Sequence, residues 1–224
     1  TFEIDINGKP IKYTGKVTKT QVNTLPIESY AVSDSAIRKM QYNLNEHIKP
    51  STPKPETLKT IVYNEGNVVL NKSKIINIDP KKIDKEITWV RGGKSGKRPI
   101  STQYYGDKGT EYEYSEMGFK GKWEPLDWTP ELLKLKKQVE KITGVKFNSA
   151  VVNKYNNQKD SIGFHADNEP ELGINPIIAS VSFGESANFK LKNLKTNEIT
   201  SVPLESGDLL VMQGTTQKDY YHGI

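Results

Sequence analysis

His165-Ala166-Asp167-Asn168-Glu169-Pro170 lies between two runs rich in β-branched and aromatic residues. Before it stands Phe147-Asn148-Ser149-Ala150-Val151-Val152-Asn153-Lys154-Tyr155; after it, Pro176-Ile177-Ile178-Ala179-Ser180-Val181-Ser182-Phe183-Gly184. Both runs read as strands. Further strand-like segments follow at residues 188–192, 199–204 and 208–213, separated by turn residues at 193–197 and by Ser206-Gly207. Upstream, residues 130–143 carry the clearest helical pattern, with Leu132, Leu135, Val139 and Ile142 on one face and Lys134, Lys136 and Lys137 on the other. Thr129 suits the N-cap, Pro130 the first helical position and Gly144 the C-terminal stop. A helix followed by a series of short strands predicts an antiparallel sandwich or barrel with helical cover.

In an extended segment the side chains at i and i+2 share a face, so His165 and Asp167 point the same way. A second histidine from another strand can then complete three ligands on one side of an octahedral ion, the two-His-one-carboxylate arrangement of non-haem Fe(II) oxygenases. The opposite side stays open for a co-substrate and O₂. With no cysteine in the chain, disulfides and thiolate metal sites are excluded, and a transition metal must be held by histidine and carboxylate. Only three histidines are present, His47, His165 and His222. The run Asp208-Leu209-Leu210-Val211-Met212 leads towards His222 and would deliver it at the mouth of the sheet. An H-x-D pair also arises by chance, and an isolated histidine is more often a surface or hydrogen-bonded residue, so spacing alone leaves both readings open.

The rest of the chain says less. Among its 224 residues the longest apolar runs fall far short of the roughly 20 that a membrane helix needs. The net charge of +5 favours polyanionic partners, nucleic acid among them. Ile4, Ile6, Ile11 and Tyr13 alternate around Asn7-Gly8, the pattern of a small hairpin. Residues 35–47 fit one helix with Ile37, Met40 and Leu44 on one face, and Lys49-Pro50-Ser51-Thr52-Pro53-Lys54-Pro55 reads as a linker. Residues 1–60 are accordingly read as an extension of unknown role and residues 61–224 as one domain. Val68-Val69-Leu70 and Ile75-Ile76-Asn77-Ile78 look strand-like, and residues 91–98 form a Gly-rich basic loop.

Taken together, these segments resemble the AlkB family of Fe(II)- and 2-oxoglutarate-dependent dioxygenases. The resemblance rests on residues 147–155, on Lys159-Asp160-Ser161-Ile162 with His165-Ala166-Asp167-Asn168-Glu169-Pro170, and on residues 176–184. It ends on Gly207-Asp208-Leu209-Leu210-Val211-Met212 with Tyr221-His222. It runs in order from about Thr88 to Ile224 and is nearest the animal-type DNA and RNA repair branch. The fold it implies is α+β but mainly β: a double-stranded β-helix (jelly roll) core with flanking helices and a nucleotide-recognition lid. Fe(II) would be bound by His165, Asp167 and His222, and 2-oxoglutarate by Asn153 and Tyr155, with O₂ as the further co-substrate. Glu169 would face the damaged base. Tyr105, Tyr112 and Tyr114 match the substrate lid, Tyr114 as the residue stacking on the base, since a base inside a duplex must be extruded or met single-stranded. Arg98, with Arg91, Lys94 and Lys97, would contact phosphates.

The resemblance implies oxidative demethylation of N-alkylated bases of the 1-methyladenine and 3-methylcytosine type in DNA or RNA. Formaldehyde, succinate and CO₂ would be released, and the enzyme would act as an intracellular monomer without a membrane. In one respect the chain departs from the family: the arginine-bearing strand that follows the distal histidine does not appear before the sequence ends at Ile224. Those arginines would supply charge-assisted bonds of about 1.5–3 kcal/mol each. The expectation is a fragment of a longer protein, with a truncated, non-catalytic nucleic-acid binding module as one rival. The other rival is a 2-oxoglutarate oxygenase acting on protein or lipid.

Overall fold

The computed structural model describes residues 2–6, 9–13, 39–45, 61–63, 68–71, 75, 77–92, 96, 99–116 and 119–224. Strands β1 (Phe2–Ile6) and β2 (Lys9–Tyr13) form an antiparallel hairpin about the Asn7-Gly8 position. The main sheet has eight strands in the order β4 (Ile61–Tyr63), β5 (Val68–Asn71), β14 (Leu209–Met212), β11 (Ile178–Gly184), β3 (Lys39–Asn45), β10 (Ser149–Tyr155), β7 (Ser101–Gly106) and β6 (Val90–Arg91). A second sheet holds β13 (Ile199–Leu204), β12 (Ala187–Asn193) and β15 (Tyr220–Gly223), all antiparallel. A two-stranded ribbon, β8 (Tyr112–Glu116) with β9 (Phe119–Trp123), is hydrogen-bonded as a sheet of its own.

Period-2 alternation sorts the main sheet's side chains. Met40, Ala150, Val152, Ala179, Val181, Phe183, Leu209 and Val211 form one buried cluster with Ile83, Leu132, Leu135 and Val139. These last come from helices α1 (Pro80–Glu86) and α2 (Pro130–Thr143), so that face is helix-covered. On the other face Val68, Ile178, Leu210 and Met212 pack against Phe189, Leu191, Val202 and Leu204 of the three-stranded sheet. Two sheets packed face to face with helices outside one of them make the jelly-roll core with flanking helices that the sequence pattern predicts.

Helix α2 forms where expected and for the expected reasons. The Thr129 hydroxyl accepts from the Leu132 amide at 3.3 Å, Pro130 opens the helix, and Gly144 closes it at φ 73°, a left-handed conformation that costs a residue with a Cβ more. Its C-terminal turn is tied to the following loop through Glu140, which accepts from the Phe147 amide (2.9 Å) and from Lys146 Nζ (3.1 Å). Burial opposes ionisation of Glu140, but the Phe147 amide and the Lys146 and Lys136 ammonium groups outweigh it, holding its carboxyl below the ordinary value.

Three expectations change. The segment expected to be a helix over residues 35–47 contains strand β3, paired in parallel with both β10 and β11. The same residues that allow a helical face also alternate, Met40-Gln41-Tyr42-Asn43-Leu44-Asn45, and two open strand edges select the extended form. Because β3 sits inside the main sheet, the sheet draws on both sides of residue 60, and the division there does not follow the packing. Within the strand-like run at 75–78, the described residues Ile75, Asn77 and Ile78 lie in no strand: Ile75 bonds through its amide to the Gly207 carbonyl, and Asn77 takes φ 58°. The Pro-rich linker at 49–55 lies outside the described residues. Among the described residues, no helix is long and apolar enough to cross a membrane.

Candidate metal centre and substrate lid

After β10 the chain passes through a loop braced by Asp160. Its carboxylate accepts from the Asn156 amide (2.8 Å), from the side-chain amides of Asn156 and Asn157, and from Arg91 Nη1 (3.2 Å). Partial burial works against its charge, yet the Asn156 bonds and the Arg91 guanidinium win, so its carboxyl lies below the usual range. The chain then runs alongside β15. His165 and His222 exchange backbone hydrogen bonds in both directions, His165 N to His222 O at 3.0 Å and His222 N to His165 O at 2.7 Å. Ile162 and Ile224 do the same at 3.0 and 3.1 Å. Directly opposed residues in an antiparallel pair share a face, so the two imidazoles lie side by side, ring centroids 4.4 Å apart. Gly223 permits this approach: a Cβ there would lie 2.8 Å from the Ile162 carbonyl oxygen.

Asp167, two residues past His165, returns to the same face. His165, Asp167 and His222 each offer one ligand atom, and the three atoms lie within 4.8 Å of one another. Asp167 and His222 are 3% and 2% exposed, with Asp167 Oδ2 3.5 Å from His222 Nε2. The Gly163 carbonyl can only accept, so the 2.9 Å contact with His165 Nδ1 makes that nitrogen the donor and leaves Nε2 as the lone-pair nitrogen. Neither ring nitrogen of His222 has a hydrogen-bond partner among the described residues, although the ring is buried and stacked on Phe189, centroids 5.5 Å apart. A buried imidazole left without hydrogen bonds is costly unless something binds it. Two imidazoles and a carboxylate converging from one side match the donor set of a non-haem Fe(II) site, so these residues fit the ion.

One face of the main sheet carries polar groups, and one of them reaches the triad. Gln41, Asn153, Tyr155 and Ser180 alternate with the helix-side residues and so occupy the face turned towards the three-stranded sheet. Gln41 Nε2 donates to Asp167 Oδ2 at 3.0 Å, which places this face at the metal centre. Asn153 and Tyr155 are both buried there, at 4% exposure each. Thr102 Oγ1 donates to Asn153 Oδ1 at 2.9 Å, turning the NH₂ end of the amide away from Thr102. Gln217, on the short helix α3 (Thr216–Asp219), accepts from the Asp167 backbone amide at 2.9 Å. Gln41 and Gln217 were not singled out by sequence reasoning. Only the alternation of residues 40–45 hinted at the first, and no local signal marked the second.

The lid residues divide. Tyr112 is buried at the base of the β8–β9 ribbon with Tyr104, Trp123, Val151 and Leu172, meeting the Tyr104 ring edge-on at 5.2 Å. The Glu113 amide donates to Glu171 Oε1 at 3.1 Å, pinning the ribbon to the 3-10 helix Pro170–Leu172 that follows the triad. Glu169 stands at the N-terminal end of that short helix without a side-chain capping bond, half-buried. Tyr114 pairs with Gly121 in the backbone register of the ribbon. Tyr105 is a correction to the lid assignment. It belongs to the helix-side core, 2% exposed, its hydroxyl accepting from the Thr88 amide, because neighbouring strand residues must face opposite ways. The side chain of Tyr114, and Lys94, Lys97 and Arg98 altogether, lie outside the described residues.

Residues 78–224 match the family model of the 2OG-Fe(II) oxygenase superfamily. The chain is similar to "Alpha-ketoglutarate-dependent dioxygenase alkB homolog 3" of Bos taurus, 39% identical over 150 residues, covering 62% of this chain and 50% of that protein. It is similar to "DNA oxidative demethylase ALKBH2" of Homo sapiens, 30% identical over 64% of this chain and 60% of the relative. "Uncharacterized protein R406" of Acanthamoeba polyphaga mimivirus is 33% identical over 70% of this chain and 79% of that protein. The chain thus spans about half the length of the alkB homolog 3 relatives it matches. Among solved structures, "The structure of OsALKBH1" superposes with a TM-score of 0.53 at 20% identity, over 75% of this chain and 86% of that one, a likeness of fold.

Proposed function

This chain belongs to the 2OG-Fe(II) oxygenase superfamily, and from that premise we propose that it oxidatively removes alkyl groups from bases of DNA or RNA. The observation that carries the reading is the convergence of His165, Asp167 and His222 within 4.8 Å, two of the three buried, with Gln41 of the main sheet bonded to Asp167. The names of the relatives add the substrate class, since one is a DNA oxidative demethylase.

In this reading His165 Nε2, His222 Nε2 and an Asp167 oxygen hold Fe(II), which, with 2-oxoglutarate and O₂, supplies the oxidising power. The remaining work falls to the chain. Asn153 and Tyr155 bind and orient 2-oxoglutarate on the sheet's inner face. The His165–Gly163 bond keeps the imidazole in the tautomer that presents Nε2. Tyr112 anchors the ribbon so that Tyr114 can stack on an extruded base, and Glu169 accepts from the base's exocyclic amino edge. Arg98 and the basic loop contact phosphates, which makes binding salt-dependent. Hydroxylation of an N-methyl group gives a hemiaminal, which collapses to formaldehyde and the normal base. The products of 2-oxoglutarate are succinate and CO₂.

The test is mass spectrometry of an oligonucleotide carrying 1-methyladenine or 3-methylcytosine, after incubation with the protein, Fe(II), 2-oxoglutarate and O₂. Loss of the methyl mass with stoichiometric succinate, abolished in His165→Ala, is the expected result. Succinate formed without methyl loss would redirect the substrate to protein or lipid. Iron-independent binding of the oligonucleotide with neither product would leave a nucleic-acid binding module.

A further inference from the structure

The geometry points to Gln41, on the N-terminal strand β3, as the residue that positions the metal-binding carboxylate of Asp167. The inference rests on the iron-site reading above. Gln41 Nε2 donates to Asp167 Oδ2 at 3.0 Å across a separation of 126 residues. That same oxygen faces His222 Nε2 at 3.5 Å, so it is the one turned into the triad. A carboxylate oxygen carries two lone pairs. The Gln41 hydrogen bond therefore leaves this oxygen able to serve as a metal ligand while fixing the direction in which the carboxylate is turned.

The contact is built rather than incidental. β3 is clamped on both edges, Gln41 standing between Val151 of β10 and Ser180 of β11 in the register of both pairings. Its neighbour Met40 is fully buried in the helix-side core, which fixes the direction in which Gln41 must point. On the opposite side, Gln217 accepts from the Asp167 backbone amide and donates to Met212 Sδ. Asp167 is therefore held at its main chain by Gln217 and at its side chain by Gln41.

The choice of a neutral amide has a chemical consequence. A cationic donor at this point would share the carboxylate's charge and reduce its attraction for a dication. The amide orients the oxygen and leaves the full negative charge for the metal. It also has no ionisation of its own, so the positioning persists across the working pH range. Partners of this kind typically affect metal affinity or activity by about 10–100-fold when removed.

The deciding experiment is a titration of the metal-free protein with Co(II), followed by its ligand-field absorption, for the unaltered chain, Gln41→Met, Gln41→Asn and Asp167→Ala. Co(II) is a spectroscopic probe of the site and needs no turnover. Gln41→Met keeps the length and loses the donor. Gln41→Asn keeps the donor but falls a methylene short. Both are expected to bind Co(II) about tenfold more weakly with an altered spectrum, while their metal-free circular dichroism matches the unaltered chain. Should Gln41→Met fail to fold, Gln41→Asn decides alone. Equal affinity and an unchanged spectrum in the variants, with binding lost in Asp167→Ala, would overturn the role of Gln41 and leave the metal site standing. An unaltered chain that binds no Co(II) would overturn both.

Discussion

The two faces of the main sheet are made from the same strands and do different work. Towards the helices the central side chains are apolar, from Met40 through Ala150, Val152, Ala179 and Val181 to Leu209 and Val211. Towards the three-stranded sheet the same strands show a mixture: Ile178, Leu210 and Met212 are apolar, while Gln41, Asn153 and Tyr155 are polar, and Gln41 bonds to Asp167. The helix-side face holds the fold, and the inner face gives up part of that burial to gather polar groups. Altering one face should change stability and altering the other should change chemistry, with little crossing between them.

The largest effect is expected at the triad. Asp167→Asn keeps the shape and removes the charge. Turnover should fall by more than about 100-fold, beyond the range for outer partners. Metal-free stability should hold or rise slightly, because a buried carboxylate is replaced by a neutral group. Urea unfolding beside a turnover assay tests both halves, and a large loss of metal-free stability would break the separation of the faces. On the other face, Leu135→Ala removes a fully buried side chain and should cost about 2–5 kcal/mol. Co(II) affinity of the folded fraction should stay unchanged.

A smaller effect sits where backbone geometry joins the faces. Gly223→Ala forces a Cβ against the Ile162 carbonyl at 2.8 Å and must displace the strand carrying His222. Metal affinity is expected to fall by about tenfold, measurable by the same titration. The smallest is electrostatic. Glu140 has its carboxyl held below the ordinary glutamate value, so its contribution is present above that value and is lost as pH falls through the depressed one. Glu140→Gln should flatten the acid limb of urea midpoint against pH, and leave the neutral region shifted by the weakening of its contacts with Lys136, Lys146 and Phe147.

Several elements were legible in the sequence because their causes are local. The Thr129, Pro130 and Gly144 punctuation of α2 acts within one or two turns, and the structure shows each contact. The Asn7-Gly8 hairpin has the turn chemistry that specifies it. His165 and Asp167 share a face through strand periodicity alone. Strand β3 was harder, since Ile37, Met40 and Leu44 satisfy helical spacing while residues 40–45 also alternate. Local preference is nearly balanced there, and the contest is settled by β10 and β11, each far away in the chain. Tyr105 shows the converse: a tyrosine beside Gly106-Asp107 looks like a lid residue until the register of β7 turns it to the helices.

By itself, then, the sequence determined the types of donor available, the strand periodicity that pairs His165 with Asp167, the helix caps, and the family these motifs belong to. Tertiary structure decided which side chains complete the site. His222 reaches His165 through reciprocal backbone bonds between segments more than fifty residues apart, an approach that a Cβ at Gly223 would crowd. Gln41 reaches Asp167 only because β3 is inserted between two other strands. Periodicity is a property of neighbouring residues and can be read along a chain, whereas the meeting of distant segments depends on which surfaces bury one another.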